Sequence, residues 1–153
     1  MNSVFAVESY ACIANEAAPL ACAHWRESEA ALYGRQHAVP ITAASYRALE
    51  AAGALHLVTV RTEGRLAGYL AFCVSENPVM PGTRTAVAMA LYLEPALRED
   101  PFLALRLLRW GEASLRQRGV SGVGYSSPAS RPCDALYRRL GARMTETLWY
   151  KEI

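Results

Sequence analysis

The feature that most constrains this chain is a helical apolar pattern set tightly between two strand-like runs. Phe102, Leu105, Leu108 and Leu115 recur at helical spacing, and Leu103, Leu107 and Trp110 widen the stripe. Residues 85–93 before it and 120–125 after it are short apolar runs of strand type, and Gly119 stops the helix between them. A strand–helix–strand unit this compact favours a right-handed crossover, which lays its two strands parallel. A parallel pair at the centre of a sheet is therefore expected.

The neighbouring segments supply the rest of that sheet. Residues 55–61 are rich in β-branched side chains, Thr62-Glu63-Gly64-Arg65 has turn chemistry, and residues 66–74 form a second apolar run, so a hairpin is predicted. Asn77-Pro78 and Pro81-Gly82 mark a loop before residues 85–93, which makes three consecutive antiparallel strands. Upstream, residues 3–7 read as a short strand, and Pro19 suits the first turn of a helix running through Trp25 to about Leu32. Val39-Pro40-Ile41 breaks the pattern, after which Thr42 caps a second helix that Gly53 ends. Downstream, Pro132 and Asp134 suit the start of a short helix closed by Gly141, and the alternating residues 144–153 read as a last strand. The expected fold class is α/β, an α+β sandwich whose mixed, mostly antiparallel sheet is flanked by helices. No repeat, low-complexity tract or linker interrupts the order, so residues 1–153 are expected to form one domain.

Composition removes several function classes. Hydrophobic residues at 52% and charged residues at 20% give a globular rather than a disordered balance. A net charge of +2, from 16 basic and 14 acidic residues, is too small to argue nucleic-acid binding without a concentrated patch. Arg98, Arg106, Arg109, Arg116 and Arg118 are the nearest thing to one. Most of them read as a solvated helix face, with phosphate contact kept for those nearest the helix start. Cys12, Cys22, Cys73 and Cys133 contain no CxxC pair, so no metal site and no disulfide framework is expected, and a reducing cytoplasm suits them. No leader pattern and no apolar run of ~18 residues points to secretion or a membrane span. A Ser/His/Asp order and a dinucleotide glycine fingerprint are both missing.

Four local stretches carry a family resemblance. They are Leu91-Tyr92-Leu93-Glu94-Pro95 followed by Arg98, Arg116-Gln117-Arg118-Gly119-Val120, Ala135-Leu136-Tyr137-Arg138-Arg139-Leu140-Gly141-Ala142, and the hairpin residues Gly64-Arg65-Leu66-Ala67-Gly68-Tyr69. With the order of elements, they make the chain resemble the GCN5-related N-acetyltransferases (GNAT) from end to end. A phage and prophage subgroup is similar in layout, including His24-Trp25 on the first helix.

The resemblance implies acetyl-CoA as cofactor and transfer of an acetyl group to an amine of a small molecule or a protein. The alternative it leaves is a catalytically silent protein of the same fold that acts through a protein partner. Homodimers are the analogy for assembly. In such proteins backbone N–H groups at the start of the long helix hold the coenzyme A diphosphate, which assigns Arg98, Phe102, Leu103 and Ala104 to cofactor binding. The pantetheine arm would lie along the backbone of Leu91 and Leu93, whose side chains also suit ordinary core packing. Tyr137 is implied as the acid that protonates the departing thiolate, against the plainer role of a ring packed on the sheet.

Two departures from the family pattern stand out. Pro101 and Leu103 occupy positions where the family places small residues, so one N–H donor is lost and bulk is added. Residues 88–90 are Ala-Met-Ala, with no carboxylate to serve as base. Glu8, His24, His37 and Glu94 are the remaining candidates, each with an ordinary structural role open to it, and a water relay or a neutral amine would need none of them. Ser126 and Ser127 end the fifth strand before a proline, where turn formation is the usual role.

Overall fold

A computed structural model describes residues 2–33 and 43–153. The expected break at residues 39–41, the Thr42 cap and His37 lie outside the described residues. Strand β1 (Ser3–Val7) is followed by α1 (Tyr10–His24), a π-helical turn (Trp25–Glu29), α2 (Ala30–Leu32) and α3 (Ala43–Ala51). Then come β2 (Leu55–Thr62), β3 (Arg65–Glu76), β4 (Arg84–Leu93), a 3-10 turn (Pro95–Glu99), α4 (Leu103–Gln117), β5 (Val120–Gly124) and α5 (Asp134–Leu140). The sheet order is β1-β2-β3-β4-β5, antiparallel throughout except for the parallel pair β4 and β5. The mixed sheet and its parallel pair therefore match the sequence expectation.

Both faces of the sheet are covered, which is why β2 and β3 are buried along almost their whole length. Val58, Val60, Leu70, Phe72 and Val74 pack beneath Leu103, Leu107, Leu108 and Leu115 of α4. On the opposite face Leu57, Leu66, Tyr69, Ala71 and Tyr92 meet Tyr10, Ile13, Ala17 and Leu20 of α1. Successive strand residues point to opposite faces, so one run of β2 feeds both cores.

Helix α1 starts earlier than expected. Ser9 caps it through a 3.3 Å bond from the Cys12 N–H, and the Glu50 carboxylate of α3 accepts from the N–H groups of Tyr10 and Ala11 at 2.5 and 3.2 Å. Pro19 consequently sits inside α1 rather than at a helix start. Its ring removes one backbone bond, and the two-sided capping together with the burial of Ile13, Ala17 and Leu20 offsets that loss.

The C-terminal segment also departs from expectation. Residues 144–153 form no strand, and Met144, Leu148, Trp149, Tyr150 and Ile153 are exposed. Alternation alone does not make a strand, because its backbone groups need a partnering edge.

Candidate functional site

Strands β4 and β5 hold register only from Arg84 to Val87 and from Val120 to Gly124. Beyond that point no β5 residue pairs with β4, while β4 continues along β3 to Leu93. The sheet therefore opens between residues 88–93 of β4 and the chain after Gly124. Met89 is the extra residue of a β-bulge, since Ala71 opposes Ala90 and Phe72 opposes Ala88. Bulges strengthen local twist and re-aim a strand, which accounts for the divergence at this place.

Leu91 and Leu93 turn their side chains into the α4 core, which leaves only backbone to serve a ligand, and of that the Leu93 carbonyl is taken by Arg98. Gly68 makes the end of β4 possible. A Cβ at that position would lie 2.8 Å from the Tyr92 carbonyl oxygen and 2.7 Å from Leu93 Cδ2.

The start of α4 is arranged differently from the sequence expectation. Leu103 is its first residue, so Pro101 lies ahead of the helix rather than in its first turn. The Leu103 side chain is 1% exposed and sits in the core, which takes its bulk out of the helix mouth. Asp100 instead occupies that mouth. Its carboxylate accepts the Phe102 N–H at 2.9 Å, its carbonyl accepts the Leu103 N–H at 3.3 Å, and Arg106 pairs with it at 2.8 Å. The Phe102 N–H and the Arg106 charge hold the Asp100 carboxyl below its ordinary pKa. Ala104 lies half-buried against the α4 core.

Arg98 is held in place by three contacts. Its Nε donates to the Leu93 carbonyl at 2.7 Å, its guanidinium pairs with Glu27 at 2.8 Å, and it lies 5.1 Å over the Tyr92 ring. Glu27 belongs to the π-helical turn, where it also accepts from Tyr92 Oη at 3.1 Å and pairs with Arg131 at 2.9 Å. This junction of α1, β4 and the β5–α5 loop was not legible in the sequence, which carries no local signal for a π turn.

Tyr137 sits on α5 beside the end of β5. Its hydroxyl donates to the Ser126 carbonyl at 2.8 Å, and its ring stacks on Tyr125 at 5.0 Å. Burial raises its pKa and keeps the phenol protonated. Ser127 is used locally, accepting the Cys133 N–H at 2.9 Å and bonding to the Asp134 carboxylate.

Three of the candidate bases have other partners. Glu8 bonds to Thr59 and to Arg61 at 2.9 Å, and the guanidinium keeps its pKa low. Glu94 is bound bidentately by Arg65 at 2.6 Å, which likewise lowers its pKa. His24 shares a 3.0 Å bond with Tyr69 Oη, stacks on Tyr92 at 5.4 Å, and burial pushes its pKa down to about 4.

A second buried histidine braces the sheet to α4. Ser114 Oγ donates to the Gly111 carbonyl at 2.8 Å, so His56 Nε2 carries the proton given to Ser114 Oγ at 2.7 Å and Nδ1 accepts from Arg118 at 3.2 Å. Burial pushes this ring down to about 4 as well. Unfolded histidine binds its proton near pH 6.5, so the unfolded chain takes up more protons than the folded one between that value and about 4. Stability is then full above pH 6.5 and falls on acidification. Thermal melts at pH 7 and pH 5 should show a loss on the order of 2 kcal/mol per histidine, and His56→Asn should flatten its share.

Among the described residues no cluster of His, Cys, Asp or Glu side chains is placed to hold a metal ion, and no helix is long and apolar enough to cross a membrane. No protein-family model and no curated protein sequence matches the chain. Solved structures do match. A ribosomal-protein-alanine N-acetyltransferase from Brucella melitensis biovar Abortus 2308 superposes with a TM-score of 0.75 at 19% identity over 100% of both chains. An aminoglycoside acetyltransferase from an uncultured soil metagenomic sample gives 0.74 at 18% identity, over 100% of this chain and 99% of that one. A predicted acetyltransferase with acetyl-CoA from Clostridium acetobutylicum gives 0.74 at 13% identity, covering 99% and 96%. The opened parallel pair, the two helical layers and these end-to-end superpositions show that the chain has the fold of the GCN5-related N-acetyltransferases.

Proposed function

We propose that this protein is an acetyl-CoA-dependent N-acetyltransferase acting on an amine of a small molecule or a protein. The observation that carries the reading is the opening between β4 and β5 with the Tyr137 hydroxyl beside it. From residue 88 to residue 93 β4 has no strand partner on its β5 side, which suits an arm that pairs as an added strand. The Leu103 side chain turned into the core takes its bulk out of the helix mouth, while Pro101 ahead of the helix still offers no N–H.

Acetyl-CoA, when bound, supplies the acetyl thioester. Tyr137 holds a proton at Oη for the departing sulfur, as a phenol does at neutral pH, and burial raises its pKa further. Arg98 acts by position, tying the Leu93 carbonyl at the end of β4 to Glu27 of the π turn. Since Glu8, Glu94 and His24 are committed elsewhere, the amine gives its proton to His37 or to water, or enters neutral.

Asp100 sets the strength of cofactor binding in this reading. Its carboxylate competes with a diphosphate for the Phe102 N–H and repels it. Asp100→Ala should tighten coenzyme A binding about threefold to tenfold by calorimetry and lower the melting temperature slightly through loss of the carboxylate's bonds to Phe102 and Arg106.

A silent protein of the same fold is the second reading, favoured by the same Asp100 contact and by Ala-Met-Ala at residues 88–90. Titration with acetyl-CoA, followed by a thiol-release assay over a panel of amines, separates the two. Saturable binding with thiol release supports the transferase, and saturable binding without release on any amine supports the silent protein. Absence of binding at millimolar cofactor counts against the transferase.

A further inference from the structure

The opening between β4 and β5 is built differently on its two faces. On the α4 face Leu91, Leu93, Tyr125 and Tyr137 pack against the core. On the α1 face Tyr92 belongs to the other core, and the π-helical turn Trp25–Glu29 lies against it, with Glu27 accepting from Tyr92 Oη at 3.1 Å. The β5–α5 loop meets the same turn. Ser130 Oγ donates to the Ser28 carbonyl at 2.8 Å, and Arg131 pairs with Glu27 at 2.9 Å. The turn thus joins the end of β4 to the chain beyond β5.

Charge does not balance at this junction. Arg98 Nη2 and Arg131 Nη1 reach the same oxygen of Glu27, Oε2, at 2.8 and 2.9 Å, so two guanidinium groups share one carboxylate. Arg98 is engaged further by the Leu93 carbonyl and the Tyr92 ring. Arg131 is 48% exposed, and its Nε and Nη2 make no hydrogen bond among the described residues. Glu29, the turn's other carboxylate, faces His24 at 3.8 Å, and burial raises its pKa with neither arginine beside it. His24 is neutral at pH 7, since burial holds its pKa down at about 4. One positive charge is therefore left over, and Arg131 is the group that presents it.

On the transferase reading, on which this rests, we infer that Arg131 binds an anionic group of the acceptor, and that the acceptor is a small amine also carrying a carboxylate or a phosphate. With the diphosphate at the start of α4 the cofactor takes the α4 face, so the acceptor reaches the thioester from the α1 face, where Arg131 stands. The free edge of its guanidinium matches the paired oxygens of either anion. Glu27 is the positioning residue: it holds the fork in place, so little side-chain freedom is lost when the anion binds. The Arg131 charge bears on His24 from one side and on Cys133 from the other, and the Cys133 thiol meets the Tyr137 side chain. An anion at Arg131 and an amine at Tyr137 are thus within reach of one small molecule. Asp134 supplies the opposite sign at the reacting end, where its carboxylate accepts from Ser127 Oγ and its charge bears on Tyr137 and Cys133. A molecule with an ammonium group at one end and an anion at the other is complementary to both.

Matched acceptors test this in the thiol-release assay: α- and ω-amino acids against their carboxamides, and phosphoethanolamine against ethanolamine. The wild type is expected to favour the anionic member of at least one kind of pair about tenfold to a hundredfold in kcat/KM, and the kind that does so separates carboxylate from phosphate. In Arg131→Gln that preference should fall to near one, through a rise in acceptor KM and not through kcat. Arg131→Lys should keep part of it, since the charge remains and the fork is lost. The melting temperature of each variant confirms that it is folded. Thiol release on no amine overturns the transferase reading and this inference with it. Release that is blind to the anion overturns this inference alone, as does a preference that survives Arg131→Gln or a parallel rise of KM for acetyl-CoA, which would make Arg131 a cofactor contact.

Discussion

Tyr137→Phe is expected to lower acetyl transfer on the order of a hundredfold while leaving acetyl-CoA affinity almost unchanged, as loss of a positioned acid commonly does. The substitution removes one oxygen and keeps the ring. That ring stacks on Tyr125 with an interplanar angle of 24° and packs against the α4 core, so the fold around it stays in place. What disappears is the proton held at Oη and the 2.8 Å bond to the Ser126 carbonyl. The bond accounts for about 1 kcal/mol of stability at most, because Ser126 is exposed and water replaces the donor. A fall in kcat at constant KM for acetyl-CoA is the expected signature. Full activity in the phenylalanine variant would remove Tyr137 from the chemistry.

Gly68→Ala is expected to destabilise the protein by about 3 kcal/mol, at the upper end of what overpacking costs. The new methyl would stand 2.7 Å from Leu93 Cδ2, 2.8 Å from the Tyr92 carbonyl oxygen and 3.3 Å from Leu93 Cα. Leu93 can shift its side chain, but the carbonyl oxygen belongs to the strand itself and moves only with the backbone. The end of β4 must therefore draw away from β3, at the place where Arg98 binds the Leu93 carbonyl. Chemical denaturation gives the stability change. If cofactor binding depends on the course of β4, calorimetry at a temperature where the variant is still folded should show weakened binding too. A variant as stable as the wild type would mean that the close approach at Gly68 does not constrain the strand.

Much of the frame could be read locally. The hairpin of β2 and β3, the long helix α4 and the return into β5 each follow from periodicity and turn residues within their own segments. The parallel pair followed from the brevity of the strand–helix–strand unit. The position of Tyr137 at the end of β5 rested on the motif around it, and the motif holds as α5 closed by Gly141 with a φ of 92°. The direction of Leu103 could not be read from the sequence, because it depends on where α4 begins.

The strands β1 to β5, the helices α4 and α5 and their order were legible in the sequence alone, because propensity, spacing and turn chemistry act over a few neighbouring residues. Only the tertiary structure decided the course of Arg98 to Leu93 and Glu27, the interior position of Pro19 in a helix capped by Glu50, and the unpaired state of residues 144–153. Each of these last depends on partners that folding alone brings together. Glu50 caps a helix start 40 positions away, Glu27 meets Arg98 across the β4 end, and a strand exists only where another offers it an edge.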